Sequence, residues 1–121
     1  MPCTWIKYRG KDILYSDFAG MIKNQETFPM FETIDKLYPQ KGPKVRHLLN
    51  FTGTIASRDF MEKAKELGKK YEELGYKDAY FGVEGLQSVL LKSYLLFIGG
   101  TTRGRVFDDV EKAKEWLAEG E

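Results

Sequence analysis

Lys44-Val-Arg-His-Leu-Leu-Asn-Phe-Thr52, then Gly53-Thr-Ile-Ala-Ser57, then Arg58 through Leu74: this stretch decides how the chain folds. The first piece reads as a buried strand. Val45, His47, Leu49 and Phe51 share one face, and Arg46, Leu48, Asn50 and Thr52 share the other. The second piece is a short polar turn. In the third, Phe60, Ala64, Leu67, Tyr71 and Leu74 recur at spacings of four and three, which makes one helical seam. Lysines and glutamates cover the opposite side as a solvated face, with Glu66 placed to pair with Lys70. Gly75 stands where a left-handed cap would end the helix.

Upstream, Thr4 to Arg9 and Asp12 to Phe18 read as two strands joined by a tight turn at Gly10-Lys11. Asp12 and Asp17 punctuate the second of them. A helix capped by Asn24 or Thr27 then runs to Tyr38, with Met30, Phe31, Ile34, Leu37 and Tyr38 as its apolar stripe. Pro29 argues for the later start, because proline belongs in a first turn. Downstream, Tyr76 to Val83 is a strand apolar enough to be covered on both faces. A helix from Leu86 to Ile98 follows. Gly99 to Arg105 reads as a flexible basic loop, since a phosphate loop would precede a helix rather than leave one. Arg105 to Phe107 is a short strand. Asp108 caps a last helix, on which Val110, Ala113 and Leu117 face inward and Trp116 covers the core's edge.

The alternation of strand and helix patterns over 121 residues predicts a single α/β domain (residues 1–121) with five strands and four helices. Nineteen basic residues nearly balance 18 acidic ones, giving a net charge of +1. That excludes the broad positive field that nucleic acid or an anionic membrane requires. The mostly apolar run Val89 to Ile98 is too short to span a bilayer, so no transmembrane segment is expected. One cysteine, Cys3, and one histidine, His47, make neither an intramolecular disulfide nor a zinc site. No signal peptide precedes the first strand, so a cytoplasmic location is expected. His47 reads as a partly covered strand histidine rather than a catalytic base. No cofactor and no catalytic constellation can be assembled, which predicts a protein that is not an enzyme.

Several stretches together resemble a family. Trp5 heads the first strand, and Gly10-Lys-Asp-Ile-Leu-Tyr15 makes the hairpin. Asn50-Phe-Thr-Gly53 follows the central strand, Gly82-Val-Glu-Gly-Leu86 follows the next, and Phe107-Asp-Asp-Val-Glu-Lys-Ala-Lys-Glu-Trp-Leu117 closes the chain. This pattern is similar to the SpoIIAA-like proteins, grouped with STAS domains and likened to the Sec14 lipid-binding fold. The resemblance implies a mixed five-stranded sheet, an N-terminal antiparallel hairpin followed by superhelical strand-helix turns. It also implies a phosphorylatable residue at the start of the helix after the central strand. Ser57 occupies that place, with Thr52, Thr54 and Arg58 around it. The usual Asp-Ser-x-Gly pattern is replaced by Ala56-Ser-Arg-Asp59, and Ser57 also reads simply as a helix cap.

Two functions follow as expectations. One is a non-enzymatic, STAS-type regulatory module that binds a protein partner or a second copy of itself. The other is a carrier or sensor of a small apolar or lipid-like ligand. Leu91, Leu95 and Ile98 form a second apolar stripe on the Leu86–Ile98 helix, and are the expected ligand or dimer surface.

Overall fold

A two-residue turn starts the fold. In the computed structural model, which describes residues 2–83 and 103–120, β1 (Cys3–Tyr8) pairs antiparallel with β2 (Lys11–Asp17). Tyr8 faces Lys11, so the connection is Arg9-Gly10, one residue earlier than the alternation predicts. Both take positive φ, 50° and 78°. That is the type I′ geometry whose twist matches the strands it joins, and Gly10 adopts it without a Cβ penalty.

From β2 onward the chain winds in one sense along the sheet. α1 (Asn24–Leu37) leads through a short 3₁₀ turn, Tyr38–Lys41, to β3 (Val45–Asn50). α2 (Arg58–Lys70) leads to β4 (Gly75–Phe81). β5 (Gly104–Phe107) and α3 (Val110–Ala118) complete the described chain. The strands lie in the order β1-β2-β3-β4-β5, with β2 to β5 mutually parallel. The expected mixed sheet with its hairpin and strand-helix turns is therefore present. Three helices stand among the described residues. The helix expected over Leu86–Ile98, and with it Leu91, Leu95 and Ile98, lies outside them. Among the described residues, no helix is long and apolar enough to cross a membrane.

The alternation of β3 divides the core in two. Val45, Leu49 and Phe51 join Leu14, Phe18 and Tyr80 against Phe31, Ile34 and Phe60 of α1 and α2. Rings of Phe18, Phe31, Phe51 and Phe60 meet at 5.1–5.9 Å between centroids. On the other face Leu48 joins Ile13 and Ala79 against Ala113 and Leu117 of α3. Arg46 and Lys77 are register partners on that face, and alone would repel. The carbonyl end of α3 takes both. Arg46 Nε donates to Leu117 O at 2.6 Å, and Lys77 Nζ to Trp116 O at 2.7 Å.

Several element ends differ from expectation, each for a local reason. α1 begins at Asn24 despite Pro29, because the Glu26 carboxylate accepts from the Ile22 and Lys23 amides and closes the first turn ahead of the proline. α2 ends at Lys70, and Gly75 opens β4 instead of capping the helix. Glycine leaves room there, since a Cβ would lie 2.7 Å from Tyr38 Oη and 2.8 Å from Arg103 Nη1 and the ends of both side chains would have to shift. Lys70 pairs with Asp35 of α1 at 2.9 Å rather than with Glu66, and Tyr71 Oη donates to the same carboxylate at 2.6 Å. These two bonds tie α2's end to α1. Asp109, not Asp108, caps α3, accepting from the Glu111 amide at 2.9 Å.

Candidate functional site

The loops after β2 and β3 are laced into one surface by their own backbone. Gly20 N donates to Thr52 O at 2.8 Å, and Ile55 N to Met21 O at 3.1 Å. Thr54 belongs to the lacing. It is 2% exposed, and its hydroxyl donates to Phe18 O at 2.7 Å. Thr52 is exposed, with its hydroxyl turned back on Asn50 Oδ1 at 2.7 Å. Ser57 is the N-cap of α2. Its Oγ accepts from the Phe60 amide at 3.0 Å and donates to Asn24 Oδ1 at 2.9 Å, so one hydroxyl caps α2 and holds the start of α1. Arg58 projects into solvent, 3.6 Å from Glu62. The structure thus gathers Thr52, Ser57 and Arg58 at one end of the sheet and places Thr54 beneath them.

Two large apolar side chains stand exposed at that same end. Ile22 is 50% exposed and Ile55 56%, one on each of the two laced loops. Ile22, Asn24, Phe28 and Ser57 line a shallow open groove beside them. An isolated exposed isoleucine means little, whereas two on adjoining loops beside a groove form a local apolar surface.

A second feature lies inside. Between the sheet and the α1–α2 layer is a cavity of about 80 Å³. Its walls are mainly apolar and include Phe18, Leu49, Phe51, Phe60, Ala64 and Leu67. One end is polar and carries His47, Asp78 and Arg103. Asp78 Oδ2 accepts from Arg103 Nε at 3.0 Å, and Arg103 Nη1 also donates to Glu72 O at 3.3 Å. Burial raises the Asp78 pKa, against which the adjacent guanidinium works. Burial is the largest single influence on Arg103 and lowers its pKa, but attraction to Asp78 and Tyr38, the Asp78 hydrogen bond and attraction to Tyr80 together hold it above its ordinary value.

His47 is buried more deeply than a partly covered strand histidine. Its Nε2 lies 2.7 Å from Ser16 Oγ, which in turn lies 3.4 Å from Cys3 Sγ. Burial, and after it the nearby Arg103 charge, push its pKa down to about 3. The imidazole is therefore neutral and a weak base. The Cys3 thiol is raised by burial despite its contact with Ser16, and so is a poor nucleophile. No group of three His, Cys, Asp or Glu side chains placed to hold a metal occurs among the described residues.

Sequence reasoning reached the loop end and missed the polar end of the cavity. Arg103 was expected in a flexible basic loop, yet it is anchored by Asp78 on β4. The available signal was Asp78 itself, an acid next to the apolar run Ala79-Tyr-Phe. Such an acid in a covered strand calls for a cation, although spacing does not say which one.

No family model and no curated protein matches the chain. Among solved structures, the chain is similar to an uncharacterised DUF3478-family protein from Shewanella loihica described as having a SpoIIAA-like fold. The match has a TM-score of 0.75 and covers 96% of this chain and 92% of that one. The fold is SpoIIAA-like. Identity between the two sequences is 19%, so the likeness concerns the fold and not the activity. Within a SpoIIAA-like frame, the turn from β3 into α2 is where Ser57 stands, which is the position singled out by the sequence resemblance.

Proposed function

We propose that this SpoIIAA-like chain is a non-enzymatic interaction module that docks a protein partner on the laced end of the β2 and β3 loops. Ser57 is the point through which modification would control that docking. The observation that carries the reading is the exposure of Ile22 and Ile55 together, on bonded loops, next to the Ser57 cap. Apolar side chains held rigidly at a surface lose little entropy on docking, which favours a partner with a complementary apolar patch. A phosphate on Ser57 would remove the proton donated to Asn24 and add negative charge at the start of α2. The helix dipole and Arg58 would favour it, while Asp59 would oppose it. Such a group would alter both the groove and the charge beside the two isoleucines.

The test is native affinity purification of the chain from its source cells, with quantitative mass spectrometry of what co-purifies. The Ile22→Asp, Ile55→Asp double variant is expected to keep its circular dichroism and lose a specific partner by tenfold or more. A partner retained equally by the folded double variant would overturn the docking surface. Incubating the chain with the kinase fraction of the same cells checks Ser57 separately. Phosphate found elsewhere, or nowhere, removes the switch and leaves the surface to stand on its own result.

A further inference from the structure

Three cations gather beside the end of α3 with no carboxylate paired to them. Lys44, Arg46 and Lys77 hold their charges 5.8, 4.9 and 5.3 Å from the centre of one ring, that of Tyr76. The backbone brings them together. Val45 is the register partner of Gly75 and Arg46 that of Lys77, which leaves Tyr76 as the extra residue of a bulge. Bulges re-aim side chains, and this one sets the Tyr76 ring beside Arg46 and Lys77. We infer that this cluster binds a phosphate group, supplied as free phosphate or as a small phosphate monoester.

Arg46 is the decisive residue. It is 7% exposed, and its Nε donates to Leu117 O. Its Nη2 is buried with no hydrogen-bond partner among the described residues. A buried charged donor left unmet is costly, so an acceptor that reaches it is strongly favoured. Lys77 commits two protons to Trp116 O and Glu119 O at 2.7 and 3.1 Å, which leaves the third. Lys44 is exposed and opens the cluster to solvent. None of the three forms an ion pair among the described residues. The face of one ring attracts a cation, yet it does not offset the mutual repulsion of three.

The charge balance selects the ligand. Glu119 is the acid whose charge acts on Lys77, and the carbonyl end of α3 adds about half a negative charge. Against three cations these leave roughly +1.5, and a phosphate group near neutral pH carries about −1.5 to −2. Its three oxygens also match the donors that remain on Arg46, Lys77 and Lys44. A carboxylate brings one charge and two oxygens, and so leaves part of the cluster unmet.

Heteronuclear NMR of the full chain, titrated with inorganic phosphate and separately with AMP, tests this. Saturable shifts are expected at the Tyr76 and Lys77 amides and at Arg46 Nε. Tighter binding of AMP assigns a monoester, and equal or weaker binding assigns free phosphate. Arg46→Gln should abolish the shifts, and Lys44→Glu should weaken binding at least tenfold. Lys36→Glu makes the same charge change at an exposed position of α1 and should leave binding within twofold. Lys44 is exposed, so its variant decides the matter if Arg46→Gln does not fold. No saturable shift, full binding by a folded Arg46→Gln variant, or equal weakening by Lys44→Glu and Lys36→Glu would each overturn the proposal. The cluster lies at the start of β3 and the Ile22 and Ile55 loops lie at its other end, so neither result bears on the other.

Discussion

On the α3 side of the sheet, Ile13, Leu48, Ala79, Ala113 and Leu117 are each fully shielded, an aliphatic centre with rings such as Phe107 and Trp116 only partly buried around it. The α1–α2 side is built from large rings and also holds a histidine, an ion pair and a cavity. Both sides come from one alternating strand, since Leu48 faces one way and His47 and Leu49 the other. Aliphatic side chains interdigitate to near-crystalline density, whereas stacked and tilted rings leave gaps at their edges. The solid layer holds the sheet to α3. The looser layer contains His47, the Asp78–Arg103 pair and the space, and its loops carry the exposed isoleucines. β3 therefore divides the candidate chemistry, with the cavity and ion pair on one side and the cations around Tyr76 on the other.

Acid should separate the two sides most strongly. The His47 pKa of about 3 in the folded chain lies below its ordinary 6.5, so the unfolded chain takes the proton first as pH falls. Stability from this group is complete above pH 6.5 and is lost progressively towards pH 3. Between pH 6.5 and 4 the loss is roughly 3 kcal/mol. Urea unfolding at both pH values should give a His47→Gln variant that lacks this share of the slope. An unchanged slope would mean that His47 is not held neutral by burial.

Truncation of neighbouring leucines compares the layers directly. Leu48→Ala, in the filled layer, should cost about 3–5 kcal/mol, near the upper end for buried leucine. Leu49→Ala should cost nearer 2 kcal/mol, because Leu49 already borders a void and has fewer contacts to lose. Equal costs in denaturant unfolding would show that the cavity-side layer packs as tightly as the other.

The helix caps give the smallest expected difference. Ser57→Ala should cost about 1–2 kcal/mol and Asp109→Ala about 0.5–1 kcal/mol. Both lose a first-turn bond, and Ser57 also releases Asn24 and so loosens α1 from α2. Thermal melts of the two variants compare them. A larger loss for Asp109→Ala would remove the bridging role from Ser57.

Much of this was legible in the residues. The β3–α2 unit, the hairpin and the inward face of α3 all followed from periods of two and 3.6. Ser57 was legible as a cap because capping is a contact between residues close in sequence. Element ends were less so. Gly75 looked like a helix cap from its place after Leu74, yet its reason lies with Tyr38 and Arg103, far away along the chain. Lys70 had a suitable partner on its own helix and took Asp35 on another.

Local pattern thus sufficed for the class of fold, the central strand and the turn that bears Ser57, since backbone geometry and burial periodicity act within a few residues. The pairing of Asp78 with Arg103, the Ser16 contact that fixes His47, and the lacing of the loops that carry Ile22 and Ile55 needed the folded chain. Each joins residues from separate strands or loops, and the sheet's register, not the spacing along the chain, sets which of them meet. The cavity has the same origin: its volume is what side chains from several separate elements fail to fill, a quantity no single segment carries.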